Sequence, residues 1–178
     1  MFLDRDGVIN RSTTRGGKPY PPASLEELSI LPGVEQALNS LRAAGLLNIV
    51  VTNQPDVASG AQRREVVEAM HAELRRTLSI DDIRVCYHTE AADCACRKPR
   101  PGMLLDAARE HAIDLDDSFM VGDRWRDIDA GRAAGCTTFF IDYKYAEQRP
   151  HAQDYTVRSL LEASSIILSR ISKKGAFT

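Results

Sequence analysis

Asp4 and Asp6 stand two residues apart, directly after the apolar pair Phe2-Leu3 and directly before Gly7. A carboxylate so placed can attack a phosphoryl group and form an aspartyl-phosphate. A second carboxyl beside it can protonate the leaving oxygen and then activate water. Two carboxylates and a phosphate repel one another, so this chemistry needs cations. Mg²⁺ takes carboxylate, phosphate and water oxygens, and Asp123 could supply a remote carboxylate. Lys98 offers a fixed positive charge and Thr52 a hydroxyl donor to phosphate oxygens. Taken singly, an Asp after a strand is most often a turn or cap residue. Four such groups, each at a strand end or loop, are hard to assign to chance.

A second cluster follows the pattern C-x-H-x5-C-x-C: Cys86, His88, Cys94 and Cys96. Three thiolates and one imidazole suit tetrahedral Zn²⁺ with no position left open, hence a structural rather than catalytic ion. The competing reading is a buried Cys86 with Cys94 and Cys96 on a loop. Disulfides need an oxidising compartment, and the start of the chain shows no charged segment followed by an apolar one. A reducing, cytoplasmic setting is the expectation. The fourth cysteine, Cys136, follows Gly135 before an apolar run and reads as a packed small hydrophobe. His71, His111 and His151 read as surface or internally satisfied residues. Trp125 is expected at the mouth of the site.

Short apolar runs must carry these groups: Phe2-Leu3, Leu47–Thr52, Ile83–His88, Ser118–Gly122 and Thr137–Ile141, with a short sixth at Tyr155–Val157. Their lengths suit strands. Helical periodicity appears after Pro32-Gly33 up to Gly45, over Arg64–Leu78, Met103–Ile113 and Ile128–Ala134, and over Leu160–Ile171. Such alternation predicts βαβ units: an α/β fold with a parallel sheet and helices on both faces. Ligands then bind beyond the carboxyl ends of the strands, where Asp4, Asp6, Thr52, Asn53, His88 and Asp123 fall. Residues 11–32 read as one long irregular stretch, a common place for function. From Lys173 the sequence predicts a frayed end.

The 178 residues are enough for one domain, 1–178, with a zinc loop over 86–96. A net charge of −2 leaves no footprint for nucleic acid, and no apolar run approaches the roughly 20 residues that span a membrane. No helix face marks a large apolar interface, so a monomer is expected.

Phe2-Leu3-Asp4-Arg5-Asp6-Gly7-Val8-Ile9-Asn10 resembles the first motif of haloacid dehalogenase superfamily phosphatases. Val51-Thr52-Asn53-Gln54 resembles the second, Arg97-Lys98-Pro99 the third, and Val121-Gly122-Asp123-Arg124 with Asp127 the fourth. The motifs occur in order over residues 2–135, about three quarters of the chain. The resemblance implies a three-layer Rossmann-like fold. Asp4 would be the nucleophile and Asp6 the acid/base. Mg²⁺ would be held by Asp4, the Asp6 backbone carbonyl and Asp123, with Thr52 and Lys98 on the transferring phosphoryl. Asp127 would act as a helix N-terminal charge or behind the ligands rather than as a ligand.

The cysteine cluster followed at once by Arg97-Lys98-Pro99 resembles the zinc loop of the heptose-bisphosphate phosphatases and of their relatives, the histidinol-phosphate phosphatase domains. By position, the bound zinc would aim Arg97 and Lys98 at the phosphate. The segments between motifs are too short for a large cap domain. Substrate is then read by loops, with Asn53, Gln54, residues 11–22, Arg97 and Arg124 as candidates; Arg97, Lys98 and Arg124 should make the mouth cationic.

Leu31-Pro32-Gly33 and Lys98-Pro99 with Pro101-Gly102-Met103 resemble the heptose branch. The short gap from His88 to Cys94, and Arg124 after Asp123, occur in both branches. After the second motif the heptose branch typically has Asn-Gln-Ser-Gly-Ile-Ala-Arg-Gly, whereas Asp56 and Ser59 here place a carboxylate and remove a cation. The resemblance favours a small phosphorylated sugar, foremost a heptose bisphosphate, over histidinol phosphate or another sugar phosphate. A phospho-accepting receiver domain would use Asp, Mg²⁺, Thr and Lys similarly; Asp6 distinguishes the two, since it promotes hydrolysis. A zinc-based nucleic-acid module is disfavoured by the charge balance.

Overall fold

The computed structural model describes residues 1–175. Six parallel strands form the sheet: β1 (Phe2–Leu3), β4 (Ile49–Asn53), β5 (Asp82–Cys86), β6 (Phe119–Gly122), β7 (Thr137–Ile141) and β8 (Tyr155–Val157). Their order is β5-β4-β1-β6-β7-β8. The chain winds outward from β1 to one edge, returns beside β1, and winds to the other edge. The topological switch point therefore lies at β1, between β4 and β6, where open α/β sheets place their ligands.

Alternation along the strands builds two cores. Leu3, Val50, Phe119, Val121 and Phe139 face α1 (Val34–Ala43) and α6 (Leu160–Gly175), with Leu74 of α3 (Arg64–Thr77) completing that side. Phe2, Ile49, Val51, Cys86 and Met120 face α4 (Gly102–Glu110) and α5 (Trp125–Ala133). Successive side chains point to opposite faces, so the β-branched runs seen in the sequence serve both layers. Cys136 packs in the second core, and burial pushes its thiol up to about 12.

β1 has only two residues, yet it is central: Asp4 N–H continues the ladder to Val121 O at 2.9 Å, and Ile49 N–H reaches Met1 O at 2.9 Å.

Several boundaries differ from expectation. The third strand stops at Cys86, so His88 sits beyond it, exposed on the loop. α5 starts at Trp125 rather than Ile128 because the Asp127 carboxylate accepts the Arg124 backbone N–H at 3.0 Å and caps its first turn. Residues 11–32 are not wholly irregular. β2 (Thr13–Arg15) and β3 (Lys18–Tyr20) form an antiparallel hairpin across Gly16 and Gly17, both at positive φ (57° and 75°), the backbone a tight hairpin turn requires. Strands of three residues carry too little alternation to be read. The short α2 (Pro55–Ala58) escaped for the same reason. α6 continues through Gly175, past the predicted fraying point at Lys173; the rest of that end lies outside the described residues. Among the described residues, the longer connections are the hairpin stretch before α1, the cysteine loop, and residues 142–154 between β7 and β8.

Candidate active site

Asp4 leaves β1, Thr52 ends within β4, and Asp123 follows β6, so three strand ends converge on one cleft. Lys98 enters from the loop after the cysteine cluster. It is 2% exposed. Its ammonium donates to Asp4 Oδ1 at 2.8 Å and to Val51 O at 2.7 Å, and pairs with Asp127 Oδ1 at 2.6 Å. Burial pushes Lys98 down, but Asp127 and Asp4 outweigh it and carry its pKa to about 12. Burial and the charge of Asp127 push Asp4 up to about 6 despite Lys98.

Asp123 differs from its neighbours. Both carboxylate oxygens are buried and neither makes a hydrogen bond of ordinary geometry, although the Tyr145 hydroxyl is close enough to influence it. Burial, then Asp4 and Asp127, push its pKa well above the usual range. Buried carboxylate oxygens without partners are costly, and a bound cation removes the cost. Asp4, Asp123 and Asp127 each present an oxygen within 4.8 Å of the others. Asp127, however, spends one oxygen on Lys98 and the other on the Arg124 N–H. That leaves the second oxygen of Asp4 and the carboxylate of Asp123 for a hard, oxygen-seeking cation. Gly7 is required here: it lies at φ 86°, and a Cβ there would come within 1.9 Å of Asp123 Oδ2.

Asp6 also faces the cleft, but its carboxylate is fully engaged. Arg5 donates to both oxygens (2.9 and 2.8 Å from Nη2), Asn10 to Oδ1 at 2.9 Å and Gln54 to Oδ2 at 2.8 Å. Burial pushes Asp6 up, but Arg5 and these donors outweigh it and hold it below the ordinary carboxylate value. The same Gln54 nitrogen donates to Thr52 Oγ1 at 2.9 Å.

The cysteine loop closes on itself. The Sγ atoms of Cys86, Cys94 and Cys96 lie 3.3–3.6 Å apart, and His88 Nδ1 is 3.6 Å from Cys86 Sγ and 3.4 Å from Cys96 Sγ. All four cysteines of the chain are free. A tetrahedron with metal–sulfur bonds near 2.3 Å has edges of about 3.8 Å, so the four donors surround a point fit for a thiolate-bound metal. Arg100 ties the loop down through Asp93 and donates to Cys94 O at 3.2 Å. Gly102 lets α4 approach: a Cβ there would meet Ala95 O at 2.3 Å.

Other expected site residues land differently. Arg97 lies outside the cleft and donates to His88 O at 3.2 Å, so it is not aimed at the same point as Lys98. Arg124 lines the cleft but is paired with Glu147 at 2.6 Å. Asn53 lines it too, yet its carboxamide is spent on the Lys98 backbone. The mouth is thus less cationic than expected. Trp125 does not line it; Arg126 does, stacked over the Trp125 ring at 4.6 Å and only loosely paired with Glu90 at 3.4 Å. Arg126 is the next residue on the same helix turn, and which of the two faces the cleft is set by the start of α5 at Trp125, which the local sequence does not record. Within residues 11–22, Ser12, Pro19, Tyr20 and Pro21 reach the cleft, as does Asp56. Ser59 is exposed and does not.

Residues 95–163 match the family model described as "HAD-hyrolase-like". A D-glycero-beta-D-manno-heptose-1,7-bisphosphate 7-phosphatase of Rhodopseudomonas palustris is 39% identical over 150 residues, covering 78% of this chain and 80% of that protein. The chain belongs to the haloacid dehalogenase-like phosphatase family. A relative with the same name from Helicobacter pylori is 32% identical over 158 residues, covering 85% of this chain and 88% of that protein. Among solved structures, the D,D-heptose 1.7-bisphosphate phosphatase of B. bronchiseptica, complexed with magnesium and phosphate, matches with a TM-score of 0.81 at 30% identity. That match covers 96% of this chain and 98% of the other. As in other members of this phosphatase family, the sheet is Rossmann-like and parallel; no helix among the described residues is long and apolar enough to cross a membrane.

Proposed function

We propose that this chain is a Mg²⁺-dependent phosphomonoesterase that removes the 7-phosphate from D-glycero-D-manno-heptose 1,7-bisphosphate. The observation that carries the chemistry is the buried Lys98 ammonium 2.8 Å from Asp4, beside an Asp123 carboxylate whose oxygens make no hydrogen bond of ordinary geometry. The substrate is supported by the names of relatives aligned over most of the chain.

Asp4 attacks phosphorus, and the sugar oxygen leaves with a proton from Asp6. Asp6 then takes a proton from water as that water attacks the aspartyl-phosphate and frees Asp4. Asp6 rests ionised against Arg5; a bound phosphate adds negative charge beside it and favours uptake of the proton it must donate. Lys98 and Thr52 hold the phosphoryl oxygens. Asp4, the Asp6 carbonyl and Asp123 would hold Mg²⁺, which would supply charge neutralisation to the bound phosphate. Zn²⁺ on Cys86, His88, Cys94 and Cys96 would serve structure alone, since all four positions are filled.

A comparison of kcat/KM for both heptose bisphosphate anomers, histidinol phosphate and simple sugar phosphates tests the reading. The bisphosphate, with the β anomer first, is expected to lead. A preference for histidinol phosphate would overturn the substrate, and near-normal turnover by Asp4→Asn would overturn the nucleophile.

A further inference from the structure

Arg5 lies between the two acidic residues of the first motif, yet it is 0% exposed and takes no part in the cleft lining. A buried guanidinium must find acceptors for its N–H groups. Nε donates to Asp6 Oδ1 at 3.1 Å, and Nη2 spans both Asp6 oxygens. Nη1 lies 3.0 Å from Nε2 of His71, 66 residues away on α3. A guanidinium has no acceptor, so Nε2 must accept; His71 is therefore neutral, with its proton on Nδ1. Burial, reinforced by Arg5, pushes His71 down to about 4, which agrees with the geometry. Val67, Met70 and Leu74 bury the same face of α3, so the imidazole stands on a fixed seat.

We propose that Arg5, seated on the neutral imidazole of His71, is the positioning residue that orients the Asp6 carboxylate for proton transfer. This rests on Asp6 being the acid–base group. Asn10 and Gln54 each hold one Asp6 oxygen, whereas Arg5 alone holds both and so fixes the plane of the carboxylate. Without an acceptor at His71, one buried N–H of Arg5 is unpaired. The guanidinium then shifts toward another acceptor and turns the carboxylate with it.

The test compares two leaving groups. A primary alkoxide must be protonated as it leaves; p-nitrophenolate is stable as an anion and needs no acid. kcat/KM is measured on D-glycero-β-D-manno-heptose 1,7-bisphosphate, whose C7 ester is the alkyl phosphate, and on p-nitrophenyl phosphate for the wild type, His71→Leu and His71→Gln, with zinc content and thermal melts as controls. Acid–base catalysis supplies about 10²–10⁴ in rate. His71→Leu is expected to lose about tenfold to a hundredfold on the alkyl phosphate and no more than about threefold on the aryl phosphate. His71→Gln, which keeps an acceptor, should recover most of the loss. Should the leucine variant not fold, Arg5→Lys carries the test: it keeps the charge, loses the fork, and should show the same selective loss. Equal losses on both substrates, or a glutamine variant as impaired as leucine, overturn the positioning role while leaving the phosphatase reading intact. A wild type that hydrolyses neither ester overturns both.

Discussion

The Asn53 carboxamide grips the Lys98 backbone at both ends: Oδ1 accepts its N–H at 3.1 Å and Nδ2 donates to its carbonyl at 3.0 Å. The end of β4 is thereby joined to the loop that delivers the active-site cation, 45 residues further on. The clamp holds the Lys98 backbone where its ammonium reaches Asp4 at 2.8 Å.

Asn53→Asp should be more harmful than Asn53→Ala. The aspartate keeps an acceptor for the Lys98 N–H but sets a carboxylate oxygen against the Lys98 carbonyl. Loss of the clamp in the alanine variant should cost about 1–3 kcal/mol of stability, read by urea unfolding, and about tenfold in kcat. An Asn53→Asp enzyme with wild-type kcat would contradict this role.

Protons and Mg²⁺ should compete for the cleft. Asp4, with a pKa near 6, and Asp123, also raised well above the usual carboxylate value by burial, bind protons more tightly folded than unfolded. Their contribution to metal-free stability is complete below the unfolded carboxylate value and lost as pH rises through about 6 and beyond. Mg²⁺ binds the ionised forms, so the rise in melting temperature on adding it should be large near pH 8 and small near pH 5. The difference between melts with and without Mg²⁺ isolates these groups from others that titrate. Asp123→Asn should abolish the Mg²⁺ response; a response equal at both pH values would count against the site.

Removal of zinc should loosen the loop that carries Lys98. Cys96→Ser is expected to take zinc from one per chain to near zero by elemental analysis. It should also lower the melting temperature and reduce kcat, with added Mg²⁺ failing to restore either. Full thermal stability in a zinc-free protein would argue that the four donors hold no structural metal.

The neutral His71 makes the fold acid-sensitive. Its pKa of about 4 lies below the ordinary 6.5, so the unfolded chain binds the proton more tightly. The stabilisation is complete above pH 6.5 and is lost as pH falls toward 4, amounting to about 3 kcal/mol. His71→Gln cannot take up this proton. The stability gap between wild type and His71→Gln should therefore narrow, or reverse, from pH 7 to pH 4.5 in urea unfolding. A gap that does not vary with pH would show that His71 is protonated alike in both states.

Much of the site was legible because the chemistry is local in type and the strands are local in pattern. Asp4, Thr52 and Asp123 each follow an apolar run, and a parallel sheet brings such ends together. Cys86, His88, Cys94 and Cys96 lie within eleven positions, close enough that donor type and spacing already describe a metal cage. Arg97, Arg124 and Asn53 were placed less well. Each has the right chemistry beside a motif, but its direction depends on a partner distant in sequence or across the loop: His88 O, Glu147 and the Lys98 backbone.

Residue type, spacing and apolar alternation thus define which groups this protein can use and the sheet that gathers them, because both act over a few residues. Which carboxylate is left without a partner, which cation is neutralised, and which buried arginine braces Asp6 are properties of the folded chain. They depend on contacts between segments tens of residues apart, such as Arg5 with His71 and Lys98 with Asp4. Burial then multiplies the consequence of each pairing, and no local pattern records it.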